Sequence, residues 1–297
     1  MLSIEDFIIE IYCRTDDSLK EISRGMKLRS RGFPPSLSDS EVITMEIVGE
    51  YIGIDTDKGI WEYFRRHWLH FFPDLGCRTT FARQAANLWY WKLKLQRRFA
   101  KECGAFDDNI HLVDGFPLPV CHFKRAYFSR IFKGDATYGY CAAKDEKYYG
   151  FKGHVMISLS GVISSFTLTA ANAEERDALW EMLCGIRGLV IGDKGYISDF
   201  LHNELLLYGI DLQTPFRSNM KDDRPPESVR IMTSVRREVE TVIGQLCERF
   251  NIEKVRARDL WHLTSRTVRK ILSHTVAVFI NCLYGRKNLQ FDGLVDT

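Results

Sequence analysis

Two aspartates each close an apolar run, and a glutamate follows on a helical stretch. Asp114 ends Asn109-Ile-His-Leu-Val-Asp114 and precedes Gly115; Asp193 ends Leu189-Val-Ile-Gly-Asp193 and precedes Lys194-Gly-Tyr196. Glu240 sits in Val235-Arg-Arg-Glu-Val-Glu240-Thr-Val-Ile-Gly. Carboxylates delivered from separate places to one point are the oxygen donors that a pair of hard divalent cations needs for phosphodiester chemistry. Each aspartate taken singly reads as a turn residue, because Asp-Gly and Gly-containing clusters punctuate strand ends. A buried strand carrying an Asp to its tip twice, with a helical Glu as third member, shifts the joint reading towards a metal site.

The elements that must position these acids follow from periodicity. Residues 1–104 read as helical: Ile4, Phe7, Ile8 and Ile11 share a face, and Ser38-Asp-Ser-Glu41 has the form of a capping box opening a second helix. Further helices are expected over about 58–70 and, as one long element, 78–101. Arg29 to Ser36, with Gly32, Pro34 and Pro35, reads as a break. From Asp107 the texture changes. Strands are expected at 109–115, at Tyr148–Ser158 and Val162–Thr169 around a Ser160-Gly161 turn, at 188–193 and at Ile210–Thr214. Helices are expected at 174–185, 198–208, 229–250 and 259–284. The order β-β-β-α-β-α-β-α implies an α/β domain, a mixed sheet covered by helices on both faces. The expected division is a helical DNA-binding region at 1–104, a catalytic domain at 105–255, and a C-terminal helix at 256–297 completing the fold.

Charge is uneven although the net is only +2. Lys58 to Lys101 holds ten basic residues against two acidic, and Thr214 to Lys287 fifteen against eight. Basic flanks around an acid-bearing centre suit a polyanion held beside a metal site. Arg78 to Arg98 mixes cations with Trp89, Tyr90 and Trp91, so Arg83, Arg97 and Arg98 are candidates for DNA phosphates; Arg266, Arg269 and Lys270 form a similar cluster. Lys152 and His154 alternate with apolar neighbours on one strand face, and Lys152 is a candidate for DNA backbone. His67 and His70 read as partly packed surface residues and not as zinc ligands. Eight scattered cysteines without a Cys-x-x-Cys read as reduced thiols of a cytoplasmic protein, and no signal peptide or membrane span is expected.

The chain resembles a DDE-class transposase of bacterial insertion sequences, most nearly the insertion sequence 982 family. The residues that carry the resemblance are Val113-Asp114-Gly-Phe-Pro117 with Arg125 following, Tyr149-Gly-Phe-Lys152-Gly-His154, Thr169-Ala-Ala-Asn172 before a helix, Gly192-Asp193-Lys-Gly-Tyr196, and Arg236-x-x-x-Glu240. The resemblance implies a ribonuclease-H-like (retroviral-integrase-like) sheet in which Asp114, Asp193 and Glu240 are the catalytic, metal-binding triad for two Mg²⁺ ions, with Mn²⁺ as a substitute. It implies DNA contacts by Arg236, Arg237, Lys194 and Arg125, double-stranded DNA partners (terminal inverted repeats and target) and a homodimer in the active complex. Where related transposases place a tyrosine and a lysine around the glutamate, this chain has Thr233 and Cys247. A structure-selective nuclease of the same fold and a catalytically silent DNA-binding protein are the alternatives; a small-molecule phosphatase would leave the basic flanks idle.

Overall fold

The computed structural model describes residues 1–26, 28, 34–217 and 219–296, so the break expected over 29–36 lies in part outside the described residues. In chain order the elements are β1 (Leu2–Ser3), α1 (Ile4–Ser23), α2 (Asp39–Tyr51), α3 (Asp57–His67), α4 (Arg78–Asn87) and α5 (Trp89–Glu102). There follow β2 (Ile110–Pro119), β3 (Thr137–Cys141), β4 (Glu146–Ser158), β5 (Ile163–Ala170), α6 (Glu175–Met182), β6 (Gly188–Ile191), α7 (Asp199–Leu207) and β7 (Ile210–Gln213). The last are α8 (Pro226–Val235), α9 (Arg237–Glu248), α10 (Leu260–Leu283) and β8 (Val295–Asp296). They divide into two compact units, one of Met1–Phe99 with Glu248–Thr297 and one of Ala100–Cys247.

The first unit is helical. Ser38 accepts from the Glu41 amide and Glu41 reaches back to the Ser38 amide, the capping box expected at the start of α2 and worth about 1 kcal/mol. Helix α10 is buried without interruption from Thr267 to Asn281 and packs against α2 and α4. Two cations of the expected basic cluster, Arg269 and Lys270, are buried rather than solvated. Arg269 bonds Glu50 at 2.6 Å and Asp57 at 2.7 Å, Lys270 bonds Glu50 at 2.8 Å, and Lys92 of α5 bonds Glu46 at 2.9 Å. Glu46, Glu50, Lys92, Arg269 and Lys270 are all buried. Charge density along the sequence pointed to a solvated basic face, but charges opposite Glu46 and Glu50 on a neighbouring helix are neutralised internally. Leu2–Ser3 pairs in parallel with Val295–Asp296.

The second unit is built on a mixed sheet. β4 runs antiparallel to β2, β3 and β5, while β2–β6 and β6–β7 are parallel, giving the path β3-β4-β2-β6-β7. β3 pairs with residues 146–150 of β4 and β5 with 151–157, so the two lie end to end on one edge of β4. The hairpin turn at Ser160-Gly161 forms as expected, with Gly161 at φ 82°. Val113, Met156, Val190 and Leu212 of the sheet pack with Leu179 of α6 and Leu205 of α7 in one apolar core. Burying each such aliphatic side chain contributes roughly 1.5–3 kcal/mol.

Three local differences from the periodicity reading have identifiable sources. The stretch 78–101 breaks at Leu88 into α4 and α5, and 229–250 breaks at Arg236, whose amide bonds the Met232 and Ser234 carbonyls. No proline or glycine marks either break. β3 went unseen because Thr-Tyr-Gly-Tyr-Cys has no apolar run, its two tyrosines being exposed. Gly139 fits there because a Cβ would come within 2.8 Å of Ala171 Cβ. Among the described residues no helix is long and apolar enough to cross a membrane.

Candidate active site

The parallel pairing of β2 and β6 sets the two aspartates side by side. Ile110 is opposite Leu189 and Leu112 is opposite Ile191, so Asp114 and Asp193, each two residues further on, are level. Each carboxylate accepts the amide of a following glycine: Asp114 Oδ1 from Gly115 at 2.8 Å, Asp193 Oδ1 from Gly195 at 2.7 Å. Asp193 sits in the turn that follows β6. Asp114 does not end its strand: β2 continues to Pro119 with Asp114 opposite Val155 of β4, which corrects the expected strand end at 115 and the turn reading of Asp114-Gly115. Arg236 Nη2 lies 3.5 Å from Asp114 Oδ2.

A third acid, which motif reading did not single out, joins them. Glu175, the first residue of α6, is hydrogen-bonded to Asp193 and forms a 3.3 Å ion pair with Lys152 of β4. Burial, reinforced by Asp193 and opposed by Lys152, pushes the Glu175 carboxyl up. Burial likewise raises Asp114 to about 6; Asp193 and Glu175 add to this, while the Gly115 amide and Arg236 oppose it. Tyr196 is fully buried, its hydroxyl without a hydrogen-bond partner among the described residues and within electrostatic reach of all three acids. His154 is also fully buried. Its Nε2 meets Thr169 Oγ1 at 2.9 Å, its Nδ1 has no partner among the described residues, and burial together with Lys152 drops it to about 4, leaving a neutral ring.

The remaining sequence candidates are placed as follows. Glu240 is exposed on α9, which buries Val239, Val242 and Leu246; its amide bonds the Arg236 carbonyl at 3.5 Å, one turn back. Lys194, Arg125 and Arg237 are exposed, and Lys152 is about one-fifth exposed and engaged by Glu175. In the helical unit Arg83 is exposed, Arg97 is half-buried, and Arg98 pairs with Glu21 at 2.7 Å. The signal for Glu175 lay three residues past Asn172 in the Thr169-Ala-Ala-Asn172 motif, hidden because Glu174, Glu175 and Asp177 read as a solvated acidic first turn.

The donor set gathered here, carboxylate oxygens with a buried hydroxyl beside them, is that of a hard divalent cation. Among the described residues no three Asp, Glu, His or Cys side chains are already close enough to grip an ion, and Arg236 and Lys152 supply the local positive charge.

Residues 104–260 match the family described as Transposase DDE domain. No curated protein matches the chain. Among solved structures, the cryo-EM structure of a piggyBac transposase synaptic complex with hairpin DNA is similar at 13% identity and a TM-score of 0.43, covering 98% of this chain and 78% of that one. The family match spans more than half of the chain and holds both aspartates, Glu175, Arg236 and Glu240: the protein belongs to the Transposase DDE domain family.

Proposed function

We propose that the chain is a DNA transposase of the insertion sequence 982 type, cutting at the ends of its element and joining the freed ends to target DNA. The observation that carries this reading is the parallel β2–β6 pairing that levels Asp114 with Asp193. The strand order β5-β4-β2-β6-β7, three antiparallel strands followed by two parallel ones, supports a ribonuclease-H-like fold for the sheet unit.

In this reading Asp114, Asp193 and Glu240 hold two Mg²⁺ ions, for which Mn²⁺ substitutes. When bound, the ions supply Lewis acidity at the scissile phosphate and lower the pKa of the attacking hydroxyl or water. The chain's own groups orient the reactants. Gly115 and Gly195 amides fix the two aspartates; Arg236, one turn before Glu240, is suited to a phosphate oxygen beside Asp114. Lys152, Lys194, Arg125 and Arg237 neutralise backbone phosphates around the centre, and Arg83, Arg97 and Arg98 do so from the helical unit. The same site serves two steps. Water attacks first and leaves a 3′ hydroxyl, which then attacks the target phosphodiester as the old ester oxygen departs. Two ends are handled together, which calls for a homodimer on terminal inverted repeats.

The test uses purified protein and the DNA flanking its coding region. Cleavage is expected with Mg²⁺ and not Ca²⁺, and pre-cut ends should be joined to a second duplex. Asp114→Asn, Asp193→Asn and Glu240→Gln should each lower cleavage at least about 10³-fold, an effect of electrostatic and metal stabilisation, while end binding persists. Undiminished cleavage by Asp114→Asn rejects the reading; hydrolysis without joining reassigns the protein as a nuclease.

A further inference from the structure

We propose that Glu175 is a fourth metal-ligating acid of this site, a side chain that the Asp193 motif is shaped to admit. The inference rests on the triad reading above and adds to it.

The shape of that motif supports it. The glycine after Lys194 leaves the room that the Glu175 carboxylate fills, while Gly115 stands beside it at ordinary contact distance. A Cβ on Gly195 would fall on Glu175 Oε2, and it would lie 2.9 Å from Asp193 Oδ1. A Cβ on Gly115 would stand 3.6 Å from Glu175 Oε1, 3.5 Å from Lys152 Cδ and 3.5 Å from His154 Nδ1. Neither glycine has a positive φ, so backbone freedom does not require them. The Glu175 carboxylate lies between the two, Oε1 on the Gly115 side and Oε2 on the Gly195 side.

Two buried polar atoms in the same place lack partners. Tyr196 Oη and His154 Nδ1 are unpartnered among the described residues, and both residues are fully buried. Unpaired buried polar atoms are costly, and here they line the ground that Glu175 shares with Asp114 and Asp193. The present partner of Glu175, the Lys152 ammonium at 3.3 Å, is a positive charge that a divalent cation replaces. A lone ion pair with Lys152 would not explain a carboxylate turned against another carboxylate.

The test is Mn²⁺ binding to the full chain without DNA, read from the loss of the free-ion EPR signal. Glu175→Gln should weaken Mn²⁺ at least about 10-fold, the scale of lost metal-site partners, and Glu175→Asp should recover part of that. In EDTA, Glu175→Gln should melt at or above the parent, because a clustered negative charge is gone. Parent-like Mn²⁺ affinity in Glu175→Gln, with Asp193→Asn strongly weakened, overturns the role of Glu175 and leaves the triad standing. Parent-like affinity in Asp193→Asn overturns the triad reading itself. Melting of Glu175→Gln well below the parent in EDTA, not restored by Glu175→Asp, assigns Glu175 to the fold and overturns the proposal.

Discussion

Arg236, at the break between α8 and α9, reaches back over 122 residues to within 3.5 Å of Asp114. Its Nη2 meets the carboxylate while its Nε has no partner among the described residues, so the guanidinium keeps donors for a further oxygen. Arg236→Gln removes a cation that opposes burial at Asp114. The Asp114 carboxyl should then titrate above its present value of about 6, read by NMR of labelled carboxyl carbons. Binding to DNA should weaken with a salt slope smaller by about one phosphate contact. A parent-like slope excludes the phosphate role.

The pH response of the metal-free protein follows from Asp114. Its folded carboxyl titrates at about 6, above the ordinary 3.8. Folding therefore disfavours the charged form; the penalty is fully present above about pH 6 and is relieved as pH falls towards 3.8. In EDTA, Asp114→Asn should melt above the parent at pH 8, with the gap roughly halved by pH 5 and closing only as pH nears 3.8. Divalent ions compete with that proton, so metal-induced stabilisation of the parent should fade below about pH 6. A gap independent of pH would contradict the raised carboxyl.

In the helical unit, Arg269 is the hub of buried charge. It meets Glu50, Asp57 and Glu46 and also donates to the Asp55 carbonyl at 2.8 Å. Burial opposes ionisation of Asp57, yet Arg269 and Arg266 outweigh it and hold that carboxyl at about 2. Arg269→Met leaves buried negative charge uncompensated and should cost about 3–5 kcal/mol in urea unfolding. A loss under about 1 kcal/mol would mean that the network is wetter than it looks.

Cys77 is exposed at the N-cap of α4, and its thiol meets the hydroxyls of Thr79 at 3.2 Å and Thr80 at 3.1 Å. These hydrogen bonds lower the thiol to about 6 from an ordinary 9.0, as helix N-termini do elsewhere. Iodoacetamide should label Cys77 with a half-maximal rate near pH 6, ahead of the other cysteines, as followed by peptide mass mapping. Thr79→Ala with Thr80→Ala should move the midpoint upwards.

The sheet was legible where apolar runs were continuous: Leu112-Val113 and Val190-Ile191 are buried and lie on strands, though the first strand runs past its expected end at 115 to Pro119 because its later residues pair with β4. Helices capped by their own sequence, as at Ser38, were also legible. What stayed hidden depended on distant partners. Arg269 and Lys270 look solvated until Glu46 and Glu50 are packed against them. Glu175 looks like an ordinary first-turn acid until α6 is laid against the Lys194–Tyr196 turn. Gly195 reads as punctuation, since no local pattern reveals which side chain will fill the space it leaves.

The discontinuous make-up of the helical unit has a consequence for synthesis. Residues 100–247 form a compact unit bracketed by the two segments of the other, so a growing chain exposes the complete sheet before α10 exists. At translation speeds of about 5–20 residues per second, helices α1–α4 wait roughly 10–40 s for α10, the helix that packs against α2 and α4. Leu2 waits longer still for Val295. A transcript cut short before α10 would yield a chain with every candidate carboxylate in place and a helical unit without its spine.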